Sequence, residues 1–177
     1  SPLFAEQLER RTMLAVTIDD GNLLILGTDA DDIILVHLDA DDSNMLVIED
    51  NDVPTFFDIR QLALDVRAFT IVGLDGNDEL IVDESNGGIR IGVRFAGGPG
   101  DDTLQGASGN DFISGDDGND SMIGAKRMDF IFGGLDDDEI FGGPGADFIR
   151  GSVGFDTLRG QAGNDDILGE LDDDELD

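Results

Sequence analysis

The chain has 177 residues, 41 acidic and 10 basic, one histidine and neither cysteine, tryptophan nor tyrosine, for a net charge of −31. That sign excludes nucleic acid and anionic lipid as partners, because both reward Lys and Arg, and it points to cations instead. The lack of cysteine excludes disulfides and thiolate metal sites, while Leu, Ile, Val and Phe make up 31% of the chain, enough to bury a core despite the charge.

Residues 1–14 are expected to be an N-terminal arm or cap. They are too charged for the apolar stretch of a signal peptide, and nowhere does the chain hold the roughly eighteen apolar residues of a helical membrane span. The chain opens on Ser1 and closes on Glu-Leu-Asp177, which reads as a fragment or processed segment. The segment Phe4-Ala-Glu-Gln-Leu-Glu-Arg-Arg-Thr-Met-Leu-Ala-Val16 resembles the short Leu-Glu-x-Arg-x-x-Leu element near the start of many large exported proteins of planctomycete bacteria, and the resemblance implies export. A capping helix over the first coil is the alternative.

Residues 15–96 are expected to form an irregular β-solenoid region with degenerate repeats. Strand candidates lie near Leu23–Leu26, Ile33–Val36, Met45–Ile48, Phe69–Val72, Leu80–Val82 and Ile89–Phe95, rich in Ile and Val and separated by Asp, Asn and Gly. Gln61–Ala68 is the one modest helix candidate. Asp39–Asp50 has a loose EF-hand spacing, but Asn44 stands where such a loop needs glycine, so a β-turn is expected. His37 sits in an apolar run as a strand residue with no catalytic company.

From Gly97 the chain divides into nine blocks of nine residues that end on Asp177. Position 1 is Gly and position 6 is Asp in every block, position 8 is Leu, Ile or Met, and position 4 is Gly in six. Six Gly/Asp/Asn-rich residues followed by a polar-apolar-polar triplet describe a tight turn and a short strand whose middle side chain points inward. One block cannot bury that side chain alone. Blocks must stack, two to a coil of eighteen residues, so stability is collective. Gly27-Thr-Asp-Ala-Asp-Asp32-Ile-Ile34 and Gly73-Leu-Asp-Gly-Asn-Asp78-Glu-Leu80 match the same positions upstream.

Calcium takes six to eight hard oxygen ligands from carboxylates and carbonyls, and a G-x-x-G-x-D turn offers both. When block k lies beside block k+2, a cation can sit between the two turns. The block pattern is similar to the calcium-binding repeat of the RTX (repeats-in-toxin) family. The resemblance implies an all-β fold, a right-handed parallel β-roll or β-helix solenoid over 97–177. It also implies that each ion takes the position-6 carboxylates of two successive turns on one side, with carbonyls of positions 2 and 4 of one turn and 1 and 3 of the next. Carried onto this sequence, the carboxylates are Asp102, Asp111, Asp120, Asp129, Asp138, Asp147, Asp156, Asp165 and Asp174, with Asp78 as a plausible extra ligand. The glycines of the metal turns are Gly97, Gly98, Gly100, Gly106, Gly109, Gly115, Gly118, Gly133, Gly142, Gly145, Gly151, Gly154, Gly160 and Gly163.

Pairing k with k+2 gives about seven inter-loop sites, and seven divalent ions would offset most of the charge of an array holding 21 acidic and 4 basic residues. Without cations the Asp rows should repel, so folding is expected to be coupled to calcium binding. Sites that use Arg127, which stands where a flexible turn residue is expected, should be the weakest.

Position 7 points outward, so Phe112, Phe130 and Phe148 should form an aromatic row on one sheet with Phe132 beside them, opposite Thr103, Ser121, Glu139, Thr157 and Glu175. The row reads either as a contact for self-association or another surface, or as stacking that stabilises its own strands. No nucleophile, metalloprotease or phosphate-loop motif is present, so no enzyme is expected. The reading is a calcium-binding, calcium-folded repeat module, structural or adhesive, of an exported protein that is extracellular or on the cell surface. The alternative is the calcium-binding part of a larger secreted enzyme or toxin.

Overall fold

The computed structural model describes residues 15–19, 22–42, 45–51, 53–58 and 68–177. The N-terminal arm, positions 61–67 of the helix candidate and positions 43–44 of the Asp39–Asp50 turn lie outside the described residues. Among the described residues there are seventeen strands and no helix, hence no helix long and apolar enough to cross a membrane.

One sheet contains β1 (Ala15–Asp19), β2 (Asn22–Leu26), β6 (Ala68–Val72), β8 (Val93–Pro99), β10 (Phe112–Asp117), β12 (Phe130–Leu135), β14 (Phe148–Val153) and β16 (Asp166–Leu171), in that spatial order. The other contains β3 (Ile33–Leu38), β4 (Met45–Asp50), β5 (Val53–Asp58), β7 (Glu79–Asp83), β9 (Thr103–Gln105), β11 (Ser121–Ile123), β13 (Glu139–Gly145), β15 (Thr157–Gly163) and β17 (Glu175–Leu176). From β6 onward the chain alternates between the sheets, and every neighbouring pair is parallel. Only β1 on β2 and the β3-β4-β5 meander are antiparallel. The molecule is thus a β-roll, and its first coil is flanked in both sheets by antiparallel strands, which leaves β1 and β5 as the edges there.

Register follows the sequence period. Phe112, Phe130 and Phe148 are partners across β10, β12 and β14, and Thr103, Ser121, Glu139, Thr157 and Glu175 across the other sheet, each eighteen residues apart. Upstream the same partners are spaced by 24 (Phe69 to Val93) and 46 (Leu23 to Phe69), because longer excursions are inserted without disturbing the stack. Position 8 supplies the inward column: Leu104, Met122, Ile140 and Leu158 from one sheet and Ile113, Ile131 and Ile149 from the other are all fully buried. These join Leu23, Ile25, Ile34, Val36, Phe69, Ile71, Leu80, Val82 and Phe95 in one continuous core.

The strand candidates at 23–26, 33–36, 45–48, 69–72 and 80–82 coincide with β2, β3, β4, β6 and β7. Of Ile89–Phe95 only the end from Val93 is strand, because the Ile89 amide is drawn into a turn by the Glu84 carboxylate, 2.8 Å away. β1 and β5 were not expected as strands. Asp39 Oδ1 accepts from the amides of Asp41 and Asp42, both at 2.9 Å, so this segment opens as an Asx turn between β3 and β4. His37 lies in β3 with Nδ1 2.9 Å from the Leu38 carbonyl and Nε2 3.2 Å from Glu49 Oε1. Burial opposes its protonation, but the two acceptors outweigh it and leave its pKa raised.

The aromatic row is a zigzag. Phe112 meets Phe132 at 5.2 Å between centroids, Phe132 meets Phe148 at 6.1 Å and Phe148 meets Phe130 at 6.0 Å, all tilted. The Arg94 and Arg150 guanidinium groups lie 4.7 and 5.1 Å from the Phe112 and Phe148 centroids. The rings therefore spend much of their faces on one another and on two cations.

Truncating a column residue opens a void that neighbours from the coils above and below cannot fill. Ile140→Ala should cost about 2–4 kcal/mol in urea unfolding of the calcium-loaded chain, whereas outward-facing Ile123→Ala should cost under about 1 kcal/mol.

Candidate metal centre

Each nonapeptide turn brings its position-6 Asp back under the roll, where Asp78, Asp102, Asp111, Asp120, Asp129, Asp138, Asp147 and Asp156 are all at most 3% exposed. Such burial of carboxylates demands partners. Half of the need is met by backbone. Oδ1 of each Asp accepts from the amide of its counterpart one coil earlier: Asp78 to Asp102 at 2.7 Å, Asp102 to Asp120 at 2.8 Å, Asp120 to Asp138 at 2.9 Å and Asp138 to Asp156 at 2.9 Å. The other side has the same ladder, Asp111 to Asp129 at 2.7 Å, Asp129 to Asp147 at 2.9 Å and Asp147 to Asp165 at 3.0 Å.

The other oxygen has no such partner. Oδ2 of Asp78, Asp102, Asp120, Asp129, Asp138, Asp147 and Asp156 is buried and accepts from nothing. Each points at its own position-1 glycine, and all but that of Asp156 lie beside the position-1 carbonyl of the next coil. A Cβ placed on Gly97 would lie 2.1 Å from Asp102 Oδ2 and 2.8 Å from the Gly115 carbonyl oxygen; on Gly115, 2.0 Å from Asp120 Oδ2 and 2.9 Å from the Gly133 oxygen. Gly73, Gly133, Gly124 and Gly142 repeat this arrangement. Two oxygens thus converge on a space that only glycine leaves open. The donors are all hard oxygens, which suits calcium and does not suit a thiolate- or imidazole-seeking metal. Among the described residues no cluster of three or more His, Cys, Asp or Glu side chains occurs, so carbonyls must supply most of any coordination sphere.

The turns share an unusual backbone. Positions 2 and 4 take left-handed φ even where the residue is not glycine: Leu74 (86°), Asp116 (81°), Ala125 (80°), Arg127 (81°), Asp136 (73°), Ser152 (91°), Glu170 (81°) and Asp172 (79°). Arg127 adopts the turn geometry fully, and its amide donates to the Pro144 carbonyl at 2.8 Å.

Two turns depart from the pattern. In 106–114, Ala107 is not left-handed and its amide donates to Asp111 Oδ2 at 2.8 Å. In 27–35, the Thr28 amide and hydroxyl donate to Asp32 Oδ2 at 2.6 and 3.1 Å, and Asn51 Nδ2 reaches Asp32 Oδ1 at 3.3 Å. Asp32 and Asp111 head the two columns, and both are satisfied by protein alone. Asp165 and Asp174, at the far ends, are half-buried acceptors of the Asp147 and Asp156 amides at 3.0 Å.

The sequence analysis missed a second ladder at position 5 of one side only. The Asn77 amide donates to Asp31, Asp101 to Asn77, Asn119 to Asp101, Asp137 to Asn119 and Phe155 to Asp137, between 2.8 and 3.1 Å. The signal was present as an Asp/Asn alternation in every second block, with Asn separating carboxylates that would otherwise be adjacent. It also missed Glu84, which accepts from the Ser108 amide and hydroxyl as well as from Ile89.

The family model of the RTX calcium-binding nonapeptide repeat matches four copies, over residues 96–126, 129–149 and 141–176. No curated protein matches the chain.

Two measurements probe this geometry. Burial, reinforced by neighbouring carboxylates, pushes Asp129 and Asp138 up to about 8, Asp102 and Asp120 to about 7 and Asp78 to about 6. Because these folded-state values lie above the ordinary carboxylate range, the cation-free roll loses stability as pH rises from about 4 through 8. In chelator the β signal of circular dichroism should therefore grow as pH is lowered from about 8 to about 5, where the buried carboxylates can be neutral; a signal that does not change over that range would contradict it. Arg127→Gly, which relieves a left-handed arginine at the expense of chain entropy, should stabilise the calcium-loaded roll by about 0.5–1 kcal/mol in urea unfolding.

Proposed function

The chain belongs, over residues 96–176, to the RTX calcium-binding nonapeptide repeats, and from that premise we propose that it is a calcium-folded structural module of an exported or cell-surface protein rather than a catalyst. The observation that carries this reading is the set of seven buried Oδ2 atoms without a partner. Each belongs to a turn followed by another turn one coil further on. That gives seven candidate sites, five on one edge (Asp78/Asp102, Asp102/Asp120, Asp120/Asp138, Asp138/Asp156 and Asp156/Asp174) and two on the other (Asp129/Asp147 and Asp147/Asp165). The position-1 glycines, among them Gly97, Gly115, Gly133, Gly142, Gly151 and Gly160, leave room for the ligands, and turn carbonyls complete the sphere. Asp111 is spoken for by Ala107 and stands outside the set.

A bound calcium ion supplies the charge that each pair of carboxylates lacks. Until then the array keeps its like charges apart by staying open, since an unpaired buried carboxylate is costly. Calcium outside cells is about millimolar, the range in which extracellular modules of modest affinity load. The nonapeptide coils can therefore leave a calcium-poor cytosol unfolded and fold on arrival.

Circular dichroism in excess chelator should show clearly less β signal than millimolar calcium produces; a full signal in chelator would refute coupled folding. Native mass spectrometry should count about seven ions. Asp78→Asn should bind one ion fewer, and Asp111→Asn should leave the count unchanged; the reverse pattern would refute the site assignment.

A further inference from the structure

We propose that the strands β2 to β8 fold without a cation and form the template on which the calcium-dependent coils then wind, from the N-terminal side to the C-terminal side. The proposal rests on the calcium-coupled folding put forward above and concerns where in the chain that coupling begins.

Three observations carry it. The first is how one edge of the stack is filled. In the roll that edge holds position-6 carboxylates and position-1 glycines, such as Asp129 and Gly124, with room left between oxygens. Upstream, the same places hold Leu23, Phe69 and Val93, one coil above Asp111, and Val36 and Val82, one coil above Gly106. All five are at most 4% exposed. Apolar side chains thus occupy the volume that further on needs glycine, carboxylate and cation. Among the described residues, fourteen buried apolar side chains precede residue 96 and eight follow it, although fewer residues are described before it. Burial of apolar area is the dominant drive of folding, so the early coils carry their own.

The second is how the columns begin. Asp32 and Asp111 have both oxygens bonded by protein groups, and Glu84 ties the Ile89 turn to Ser108. Up to residue 111, Asp78 and Asp102 are the carboxylates left with a buried unpartnered oxygen; beyond it the condition holds from Asp120 to Asp156 without a gap.

The third is the direction of the Asp ladder. In each rung the amide belongs to the earlier coil and the carboxylate to the later one, as in Asp102 to Asp120 and Asp120 to Asp138. A formed coil therefore presents fixed donors to the incoming Asp. At position 6 a later coil formed first would present a carboxylate and no donor to the earlier one; its donors at position 5 serve the Asp78 side alone. On the other side the first coil is flanked by antiparallel β1, β4 and β5, so parallel coils continue from one side only.

Amide hydrogen exchange on the full chain, read peptide by peptide by mass spectrometry, tests this. In chelator, β2–β4 and β6–β8 should exchange on the order of a hundredfold more slowly than β10–β16, and millimolar calcium should protect the whole roll. Pulse labelling after calcium is added should show β10 protected before β16. If no strand is protected in chelator while calcium protects all of them, the template is refuted and coupled folding stands. If every strand is already protected in chelator, coupled folding itself is refuted. Protection that reaches β16 before β10 would overturn the direction of winding.

Discussion

A carboxylate that is buried, bonded on one oxygen and unbonded on the other governs this molecule. Burial of Asp102, Asp120, Asp129, Asp138 and their counterparts costs free energy that no side chain in the roll returns. The apolar content of a coil is small by comparison: one Leu, Ile or Met from each block, in contact with the same residue above and below. Such a stack has too little core to confine a row of like charges without outside help. The proposed coupling of folding to a hard divalent ion rests on that imbalance rather than on any single ligand set, and the acidity of the chain is its source.

The rest of the architecture follows from keeping that oxygen free. Position 1 must be glycine because a Cβ would occupy the place toward which Oδ2 and the next coil's carbonyl converge. Positions 2 and 4 bend through left-handed φ in most turns, and the bend is imposed on Leu74, Ala125 and Arg127 as on glycine. The Asp amide is given to the next carboxylate and the Asp carbonyl to the following strand, as in Ser121 to Asp102. The amide and carbonyl of the Asp are thereby both used, and one of its side-chain oxygens is not.

How much of this could be read in the sequence depends on whether a feature is periodic. The coil length, the inward column, the pairing of Phe112 with Phe130 and Phe148 and the row of buried carboxylates all repeat every nine or eighteen residues, and each was legible. Features set by a single neighbour were not. Ala107 and Ala125 are the same residue at the same position one coil apart, yet Ala125 is left-handed and Ala107 is not. The coil above Ala125 is a nonapeptide turn, while the one above Ala107 is the Glu84–Gly92 excursion, whose carboxylate takes the Ser108 amide. Likewise β5 carries Pro54 and an exposed Phe56, and it is strand because β4 offers it an edge rather than because its own pattern asks for it.

The two ladders on the Asp78 side run in opposite senses. At position 6 the earlier coil donates to the later, and at position 5 the later donates to the earlier. Neighbouring coils on this edge are therefore joined by two sets of side-chain bonds, each coil donating to and accepting from the next, like a seam stitched from both faces. The opposite edge has Met128 and Ala146 at position 5 and only the single ladder. The roll is therefore mechanically lopsided: under a pull along its axis the Asp129 edge yields first, and the stack bends away from it before any coil comes apart.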